Sequence, residues 1–311
     1  MINEAVEFAV ELRFPEGPVV MQDGSVIVVE IAAGCVIRCW PDGRVTTIAV
    51  VGGGPNGAAL GPDGKLYVCN NGGMAWHRDP DGGLYPHGRA ENYTGGSIQR
   101  VSIENGTVET LYRDVGGTAL SAPNDIVFDE SGGFWFTDLG EISGTHIARG
   151  GVCYARCDGT CIRQVVFPML TPNGIALSPD GKSLYVAETL TARLWRFEVV
   201  APGELALRSW PAISPGDLLY VAPEYCNFDS IAVEANGNIC VATLGIGGIT
   251  VVSPSGQRVE FVAYPDRATT NLCFGGADMR SAYVTQSRTG RLLMQSWARE
   301  GLAPAFGRQP R

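Results

Sequence analysis

The chain repeats one pattern of apolar and polar positions six times. Each copy has a polar residue, a short apolar strand-like run, a glycine-containing turn and a second apolar run, as in residues 172–188, PNGIALSPDGKSLYVAE. Two such runs separated by a turn of this kind predict a β-hairpin. A second hairpin usually follows within the same copy, so each copy predicts four antiparallel strands.

The copies begin near residues 15, 55, 123, 172, 228 and 270, roughly 40 to 70 residues apart. Four-stranded units repeated every 40 to 50 residues or so are typical of propeller blades, and longer intervals leave room for insertions. The 41 glycines and 19 prolines supply many turns, and long amphipathic helical patterns are absent. We therefore predict an all-β fold, a six-bladed β-propeller of four-stranded antiparallel blades around a central channel, with residues 1–311 forming a single domain.

The two ends of the chain carry separate predictions. Residues 1–14 contain one short strand-like run, which we expect to pair with the last blade and close the ring. Residues 299–311 are rich in glycine, proline and arginine. This composition predicts a loosely held tail.

A polar residue stands at the same point of the first strand in every copy. Because the innermost strands of a propeller surround its channel, these residues are expected to form a ring at one end of it: Glu16, Asn56, Asn124, Asn173, Asp229 and Asn271. Carboxylate and amide oxygens suit Ca²⁺, Mg²⁺ or Mn²⁺, whereas Zn²⁺ prefers histidine or cysteine. Asparagine and aspartate are also common turn residues. The position nevertheless keeps a side-chain oxygen in all six copies, which favours a divalent cation in the channel.

Five short motifs carry a resemblance that spans nearly the whole chain. In order they are Phe14-Pro15-Glu16-Gly17-Pro18, Ala122-Pro123-Asn124-Asp125, Pro172-Asn173-Gly174, Phe228-Asp229-Ser230 and Thr270-Asn271-Leu272. Together they resemble the senescence-marker-protein/gluconolactonase/luciferin-regenerating-enzyme family of six-bladed propellers. The resemblance implies divalent-metal-dependent hydrolysis, most often of lactones, with Ca²⁺ or Zn²⁺ in the site. It also implies that Glu16, Asn173 and Asp229 hold the metal, and that Asn124 is a fourth ligand or binds substrate beside it.

Further roles follow for single residues. Asp229 is the only carboxylate of the predicted ring besides Glu16, and we predict that it removes the proton of the attacking water. Two alternatives stay open, because Asp229 could be a ligand alone or could attack directly as the nucleophile. The other ring amides, Asn56 and Asn271, are predicted to contact substrate. Ala122 stands where animal members of the family have an arginine that contacts the sugar, so less polar lactones are expected to compete well with sugar lactones.

Insertions between the strands are predicted to form the walls above the ring. The longest, residues 70–96, combines glycine, proline and aromatic residues, which suits a cover that excludes water. Within it, Trp76 and Tyr93 are candidates for packing on a substrate, although they could equally hold the insertion to the surface. Residues 139–150 and 214–227 are further wall candidates.

Composition limits the class of partner and the compartment. The net charge of -9 and the pI near 4.9 leave no basic stripe for nucleic acid. The first 14 residues lack a signal-peptide pattern, and no run of 18 apolar residues predicts a membrane span. The odd number of cysteines, nine, favours a reducing compartment. A cytoplasmic enzyme acting on a small molecule is therefore expected.

The primary hypothesis is a divalent-metal-dependent hydrolase that opens a lactone by polarising its carbonyl and activating water. Ca²⁺ is the expected ion, with Zn²⁺, Mn²⁺ and Mg²⁺ as alternatives. The residues leave two other functions open. One is a metal-dependent phosphotriester or organophosphate esterase, and the other is a non-catalytic propeller that binds a ligand.

Overall fold

The computed structural model describes residues 5–209 and 215–307, which form six antiparallel sheets of four or five strands and three additional hairpins. The innermost strands of successive sheets lie side by side, and the first also contacts the last, so the sheets close into a ring around a channel. The prediction of a six-bladed β-propeller is confirmed. None of the described residues belongs to a helix that could cross a membrane.

The strands are numbered in chain order. Those up to the end of the third blade are β1 (Val6–Ala9), β2 (Pro15–Val20), β3 (Val26–Glu30), β4 (Cys35–Cys39), β5 (Val45–Val50), β6 (Pro55–Leu60), β7 (Leu66–Asn70), β8 (Met74–Arg78), β9 (Leu84–Arg89), β10 (Ser97–Val101), β11 (Val108–Tyr112), β12 (Asp114–Val115), β13 (Thr118–Ala119), β14 (Pro123–Phe128), β15 (Gly133–Asp138), β16 (Glu141–Ser143), β17 (His146–Ala148), β18 (Gly150–Arg156) and β19 (Ile162–Met169). The others are β20 (Pro172–Leu177), β21 (Ser183–Glu188), β22 (Arg193–Ala201), β23 (Glu204–Ala206), β24 (Asp217–Val221), β25 (Asn227–Val233), β26 (Ile239–Leu244), β27 (Gly248–Val252), β28 (Arg258–Ala263), β29 (Thr269–Gly275), β30 (Ser281–Gln286) and β31 (Arg291–Ser296).

From the channel outward, the six blades are β2-β3-β4-β5, β6-β7-β10-β11, β14-β15-β18-β19, β20-β21-β22-β24, β25-β26-β27-β28 and β29-β30-β31-β1. The last blade therefore combines both ends of the described chain, with Val6 of β1 opposite Met294 of β31. In the fourth blade β22 also pairs with β23. The hairpins β8–β9, β12–β13 and β16–β17 are insertions outside the blades.

The turn between the two inner strands of a blade shows why the repeated Asp-Gly motif is needed. In the fourth blade Asp180 accepts hydrogen bonds from the Lys182 backbone N–H at 3.1 Å and the Ser178 hydroxyl at 2.6 Å. Gly181 follows with a φ of 67°, a left-handed conformation that costs glycine little. The side chain of aspartate thus stabilises a turn that the glycine makes possible.

The hydrophobic core lies between the blades. It consists of six apolar clusters, each shared by two neighbouring blades. Between the third and fourth blades, Trp135 of β15 packs with Leu184 and Phe197 of β21 and β22. Burying each such side chain stabilises the fold by about 1.5–3 kcal/mol. Because the packing is shared, every blade is held by its two neighbours, and the inner strands are fixed rigidly around the channel.

Residues 299–307 follow the last blade and lie against the propeller. Arg299 forms an ion pair with Glu234 at 2.6 Å, and the Leu302 backbone N–H donates to the Val233 carbonyl at 2.8 Å. The rest of the tail that composition predicted to be loosely held, residues 308–311, lies outside the described residues.

Candidate functional site

Each of the six predicted ring residues lies at the second or third position of an innermost strand, and all six are buried. The group, named here the inner ring, comprises Glu16, Asn56, Asn124, Asn173, Asp229 and Asn271. Glu16 is only 2% exposed and Asp229 only 9%. Carboxylates are almost never buried to this degree without a partner.

A β-bulge lies at or after the inner-ring residue in five blades and just before Asn271 in the sixth, and it brings adjacent inner strands close together. The pairing register with the second strand shifts at this point in all six blades. A Cβ added to Gly174 would lie 2.5 Å from the Asp229 carbonyl oxygen, and one on Gly57 would lie 2.5 Å from that of Asn124. The glycine of the Pro-Asn-Gly motif is therefore required by the packing of one blade on the next.

Glu16 is held by its neighbours across the seam between the last blade and the first. Its Oε2 accepts hydrogen bonds from Asn271 Nδ2 at 2.8 Å and from the Gly17 backbone N–H at 2.9 Å. Burial raises the pKa of Glu16, although these hydrogen bonds and one to the Thr270 side chain act in the opposite direction. Asn271 Oδ1 also accepts from the Leu272 backbone N–H at 2.8 Å. Asn271, predicted to contact substrate, thus positions Glu16 in this structure.

Asp229 is buried and is subject to the negative charges of Glu16 and Asp125. Burial raises its pKa well above the usual value for aspartate, and the charge of Glu16 raises it further. The Asn173 side chain and the Ser230 backbone N–H donate hydrogen bonds that favour the charged form of Asp229. These donors do not offset the desolvation, so a positive partner would favour the charged form of Asp229.

Asp125 is a third channel carboxylate, and it was not among the predicted site residues. It occupies the bulge position of the third blade, where the first, second and fourth blades have glycine. Its side chain accepts from the Ile126 backbone N–H at 2.9 Å, and the Ser230 side chain is a further partner. Burial, followed by the charge of Glu16, raises the pKa of Asp125 to about 7. Aspartate in place of glycine in the Pro-Asn-Asp motif was the sequence signal for it.

The inner ring has acceptors and negative charge in excess of donors. The pKa values of Glu16, Asp125 and Asp229 are shifted by burial, hydrogen bonds and mutual repulsion. No arginine or lysine of the described chain is among the causes. Asn124 Oδ1 and Asn173 Oδ1 are buried and have no hydrogen-bond partner. Unpaired buried oxygens are rare in native proteins and call for an explanation.

A hard divalent cation fits this donor set, because it binds carboxylate and amide oxygens together. Within residues 5–209 and 215–307, no three aspartate, glutamate, histidine or cysteine side chains are grouped closely enough to hold an ion by themselves. Ligation would therefore have to include the two unpaired amide oxygens. Asn56 is buried in the same ring between the first and third blades, at 7% exposure.

The insertion of residues 70–96 contains the hairpin β8–β9, named here the cover. Trp76 on β8 packs on Phe14, two residues before Glu16, with ring centroids 4.9 Å apart. On one side Asp79 pairs with Arg288 of the last blade at 3.1 Å, and on the other Arg89 pairs with Glu141 at 3.1 Å. The cover therefore extends across the first blade, from the last blade to the third, at the ring end of the channel.

Tyr93 lies just beyond the cover and is already engaged. Its hydroxyl donates to the Ser121 carbonyl at 2.6 Å, and the Arg89 guanidinium lies 4.2 Å from the centre of its ring. Trp76 similarly has a packing partner in Phe14. Both aromatic residues therefore attach the insertion to the propeller, and their contact with substrate stays a prediction.

The two other wall candidates differ. Residues 139–150 form the hairpin β16–β17, which the Arg89–Glu141 ion pair joins to the cover. Residues 215–227 contain β24, the outermost strand of the fourth blade, so part of this segment belongs to a blade, and its role as a wall stays a prediction. Ser214, the first residue of that candidate, lies outside the described residues.

A second set of polar side chains lies one strand further from the channel. These residues, named here the outer ring, end the second strand of five blades: Glu30, Asn70, Asp138, Glu188 and Gln286. Each accepts a backbone N–H from the segment that leads into the inner strand. Distances range from 2.6 Å, for the Ala122 N–H to Asp138, to 3.0 Å, for the Leu170 N–H to Glu188 and the Asp266 N–H to Gln286. The outer ring therefore fixes the approach to the inner ring.

Comparison with known proteins places this geometry in a family. A model of the SMP-30/Gluconolactonase/LRE-like region matches residues 14–288. Lactonase drp35 of Staphylococcus saprophyticus is 27% identical over 254 residues, which are 81% of this chain and 70% of that protein. A solved gluconolactonase of Xanthomonas campestris superposes with a TM-score of 0.74 at 20% identity, covering 95% of this chain and 90% of that one.

A further solved structure, the calcium-binding protein regucalcin of Agrobacterium tumefaciens, superposes with a TM-score of 0.69 at 16% identity and covers 94% of this chain and 92% of that one. At such identities the two solved structures establish the fold. The family match is broader, since it runs from the residue before the first inner strand to the end of the last inner hairpin. On this evidence the chain belongs to the SMP-30/gluconolactonase/LRE-like family.

Proposed function

We propose that this protein hydrolyses a lactone with the help of a divalent metal ion held in the inner ring. The family and its named lactonases support the first part, and the chain is a lactone-hydrolysing enzyme on that ground. Metal dependence is supported by one observation above all. Buried carboxylates and two unpaired amide oxygens lie in the inner ring, and no described lysine or arginine acts on the pKa of those carboxylates.

The residues proposed to hold the ion are Glu16, Asn124, Asn173 and Asp229. All four offer oxygen, which favours Ca²⁺, with Mg²⁺, Mn²⁺ and Zn²⁺ as alternatives. The structurally similar regucalcin is a calcium-binding protein, which agrees with this order. When bound, a divalent ion polarises a carbonyl group and makes water more acidic.

Asp229 is proposed as the base. Both ring carboxylates could accept a proton, and both accept hydrogen bonds, Glu16 from Asn271 and Gly17 and Asp229 from Asn173 and Ser230. Water adds to the lactone carbonyl carbon while its proton passes to Asp229. The ring C–O bond then breaks, and the departing alkoxide takes a proton to give the open hydroxy acid. Asp229 has two competing roles. It could serve only as a metal ligand, or its carboxylate could attack the carbonyl carbon directly as the nucleophile.

The substrate is proposed to be a lactone of low polarity. Ala122 presents a methyl group at the third blade, and its backbone N–H is occupied by Asp138 at 2.6 Å. A cleft of about 270 Å³ lies between the base of the cover and the first blade, lined largely by glycine and alanine with Met74 and Trp76. The described lining has no charged side chain, and its polar side chains are those of Asn92 and Thr94.

The decisive experiment is a hydrolysis screen of sugar, aliphatic and aromatic lactones on chelator-treated protein, repeated with Ca²⁺, Mg²⁺, Mn²⁺ and Zn²⁺. We expect no turnover without metal and restored turnover with at least one ion. A strong preference for gluconolactone over every less polar lactone would overturn the substrate assignment. Full activity in metal-free protein would overturn metal dependence. If the protein hydrolysed phosphotriesters and no lactone, it would be a phosphotriester esterase and the proposed lactone hydrolysis would be wrong.

We also propose a cytoplasmic location. All nine cysteines are free thiols. Thiols of this kind persist in a reducing compartment. Fractionation of cells that express the untagged full-length chain would test the location.

A further inference from the structure

A second and larger cavity lies in the channel on the far side of the inner ring. Its volume is about 780 Å³. It is lined by the later residues of the inner strands, such as Val20 of β2 and Leu177 of β20, and by the turns that follow two of these strands, at 129–131 and 178–181. Because the inner strands begin at the ring, this cavity, named here the lower chamber, opens at the opposite end from the cover.

The lining of the lower chamber is chiefly hydrocarbon. Valine, leucine, isoleucine, alanine and phenylalanine side chains from all six inner strands contribute to it. The polar groups are acidic or neutral: Asn271 belongs to the inner ring, Asp125 lies beside it, and Asp129, Glu130 and Asp180 lie at the turns. The described residues that line the chamber include no lysine, arginine or histidine.

Residues 299–307, named here the strap, cross the open end of the lower chamber. The Gly301 N–H donates to the Met279 carbonyl of the last blade at 2.8 Å. At the other end, Phe306 packs edge-on against Phe128 of the third blade, with ring centroids 5.6 Å apart, and Gln22 of the first blade donates to the Gly307 carbonyl at 3.3 Å. The strap therefore spans the ring and adds apolar walls to the chamber.

We propose that the lower chamber binds a small apolar molecule with a hydrogen-bond-donating head, an aliphatic alcohol or amine. Its volume lies within the range of roughly 300–1,000 Å³ that is usual for small-molecule sites, and its lining suits a hydrocarbon body. The carboxylates of Asp129, Glu130 and Asp180 at the turns accept hydrogen bonds and attract positive charge. They repel an anionic head, so fatty acids of the same length are excluded. This site does not depend on lactone hydrolysis.

The test is a fluorescence titration of the full-length protein with N-phenyl-1-naphthylamine, an uncharged apolar probe. Displacement is then measured with decanol, decylamine and decanoate below their micelle-forming concentrations. We expect the amine and the alcohol to displace the probe at concentrations lower by about tenfold or more than decanoate requires, because like charges placed close together are strongly unfavourable. Absence of saturable probe binding, or equal displacement by decanoate, would overturn the proposal.

Two variants place the probe in the chamber. Ala232→Phe fills it from β25 and Ala303→Phe fills it from the strap, since both alanines line the cavity and are partly exposed. Each should weaken probe binding by about tenfold or more. The added phenylalanine ring occupies space in which the probe would otherwise bury apolar surface. The matched control is Ala206→Phe on β23, an exposed alanine outside the chamber, which should bind as the parent does.

Circular dichroism and thermal unfolding identify any variant that fails to fold. If one of the two chamber variants does not fold, probe binding to the other one tests the proposal. If folded Ala232→Phe and Ala303→Phe both bind the probe as tightly as the control, the chamber is not the site. The titration is run on chelator-treated protein as well. An inactive enzyme that still binds the probe would count against the proposed reaction alone, and an active enzyme that does not bind it would count against the chamber alone.

Discussion

The inner and outer rings differ in how their oxygens are used, although they lie one strand apart and share the same residue types. Outer-ring oxygens accept backbone N–H groups, as Asp138 does from both Ser121 and Ala122. In the inner ring, Asn124 Oδ1 and Asn173 Oδ1 have no partner, and burial, followed by repulsion from Glu16, raises the pKa of Asp229. Polar side chains whose hydrogen bonds are complete serve the fold. Those left incomplete in a buried channel indicate a ligand.

The largest effect is expected from Asp229→Asn, which keeps an oxygen at the inner ring but cannot take a proton. We predict that kcat falls by about 10²-fold or more, the usual scale for loss of a general base. KM should change less, because the interaction belongs mainly to the transition state. Steady-state kinetics on the best lactone of the screen measure both. Metal content must be determined on the same preparation, and a metal-loaded variant with near-parental turnover would show that Asp229 is not the base.

Asp138→Ala removes a hydrogen-bond acceptor of the outer ring and leaves the inner ring unchanged. It leaves the backbone N–H groups of Ser121 and Ala122 without their acceptor, which costs about 1–3 kcal/mol for a buried group. We predict a lower midpoint of urea unfolding, with a smaller loss of kcat than Asp229→Asn gives. A variant with parental stability and abolished turnover would place Asp138 in the chemistry and remove the distinction between the rings.

Glu16→Gln tests the charge of the inner ring. It removes one of two anionic ligands while keeping the size of the side chain, so Ca²⁺ affinity should fall by about tenfold or more. Isothermal titration calorimetry of chelator-treated protein measures this without reference to activity. The matched control in the outer ring is Glu188→Gln, for which we expect unchanged Ca²⁺ affinity. Equal affinities for both variants and the parent would exclude Glu16 as a ligand.

The smallest effect concerns the pH dependence of stability in metal-free protein. The pKa of Asp125 is raised from 3.8 to about 7 by folding, and those of Glu16 and Asp229 are raised as well. The folded state therefore holds protons that the unfolded state releases. Stability is greatest below the unfolded pKa and is lost as pH rises towards 7.

We predict that the Tm of chelator-treated protein falls by a few degrees between about pH 4.5 and pH 7.5, since 1 kcal/mol shifts the Tm of a large domain by about 2–4 °C. Added Ca²⁺ should raise the Tm more at pH 7.5 than at pH 4.5. Differential scanning fluorimetry across this range measures both. A Tm that rises with pH in the metal-free protein would contradict the electrostatic description of the inner ring.

The repeated units and the positions of the inner-ring residues could be predicted because the signals are local. A motif such as Pro172-Asn173-Gly174 specifies a strand start within three residues. Asp125 was missed because its importance arises from the bulge that turns it into the channel and from the distant charge of Glu16. The outer ring was missed for a similar reason, since its partners lie about 16 to 20 residues away in sequence.

The tail shows the limit of composition as a guide. Glycine, proline and arginine predicted loose attachment, yet Arg299 meets Glu234, and Phe306 meets Phe128. Neither contact has a local sequence pattern, because the partners are 65 and 178 positions earlier in the chain. Complementary surfaces that form only after the blades have assembled cannot be recognised one segment at a time.

The seam between the last blade and the first has a consequence for biosynthesis. Asn271 and Glu16 are separated by 255 positions, and Ser287 donates to the Pro15 carbonyl across the same junction. A ribosome releases the sixth blade last, so Glu16 emerges early and waits for most of translation before its partner exists. Contacts of such long sequence separation form late and slowly. We expect a nascent chain that ends before Asn271 to lack the complete ion-binding ring, so that metal capture reports the moment at which the circle of blades is completed.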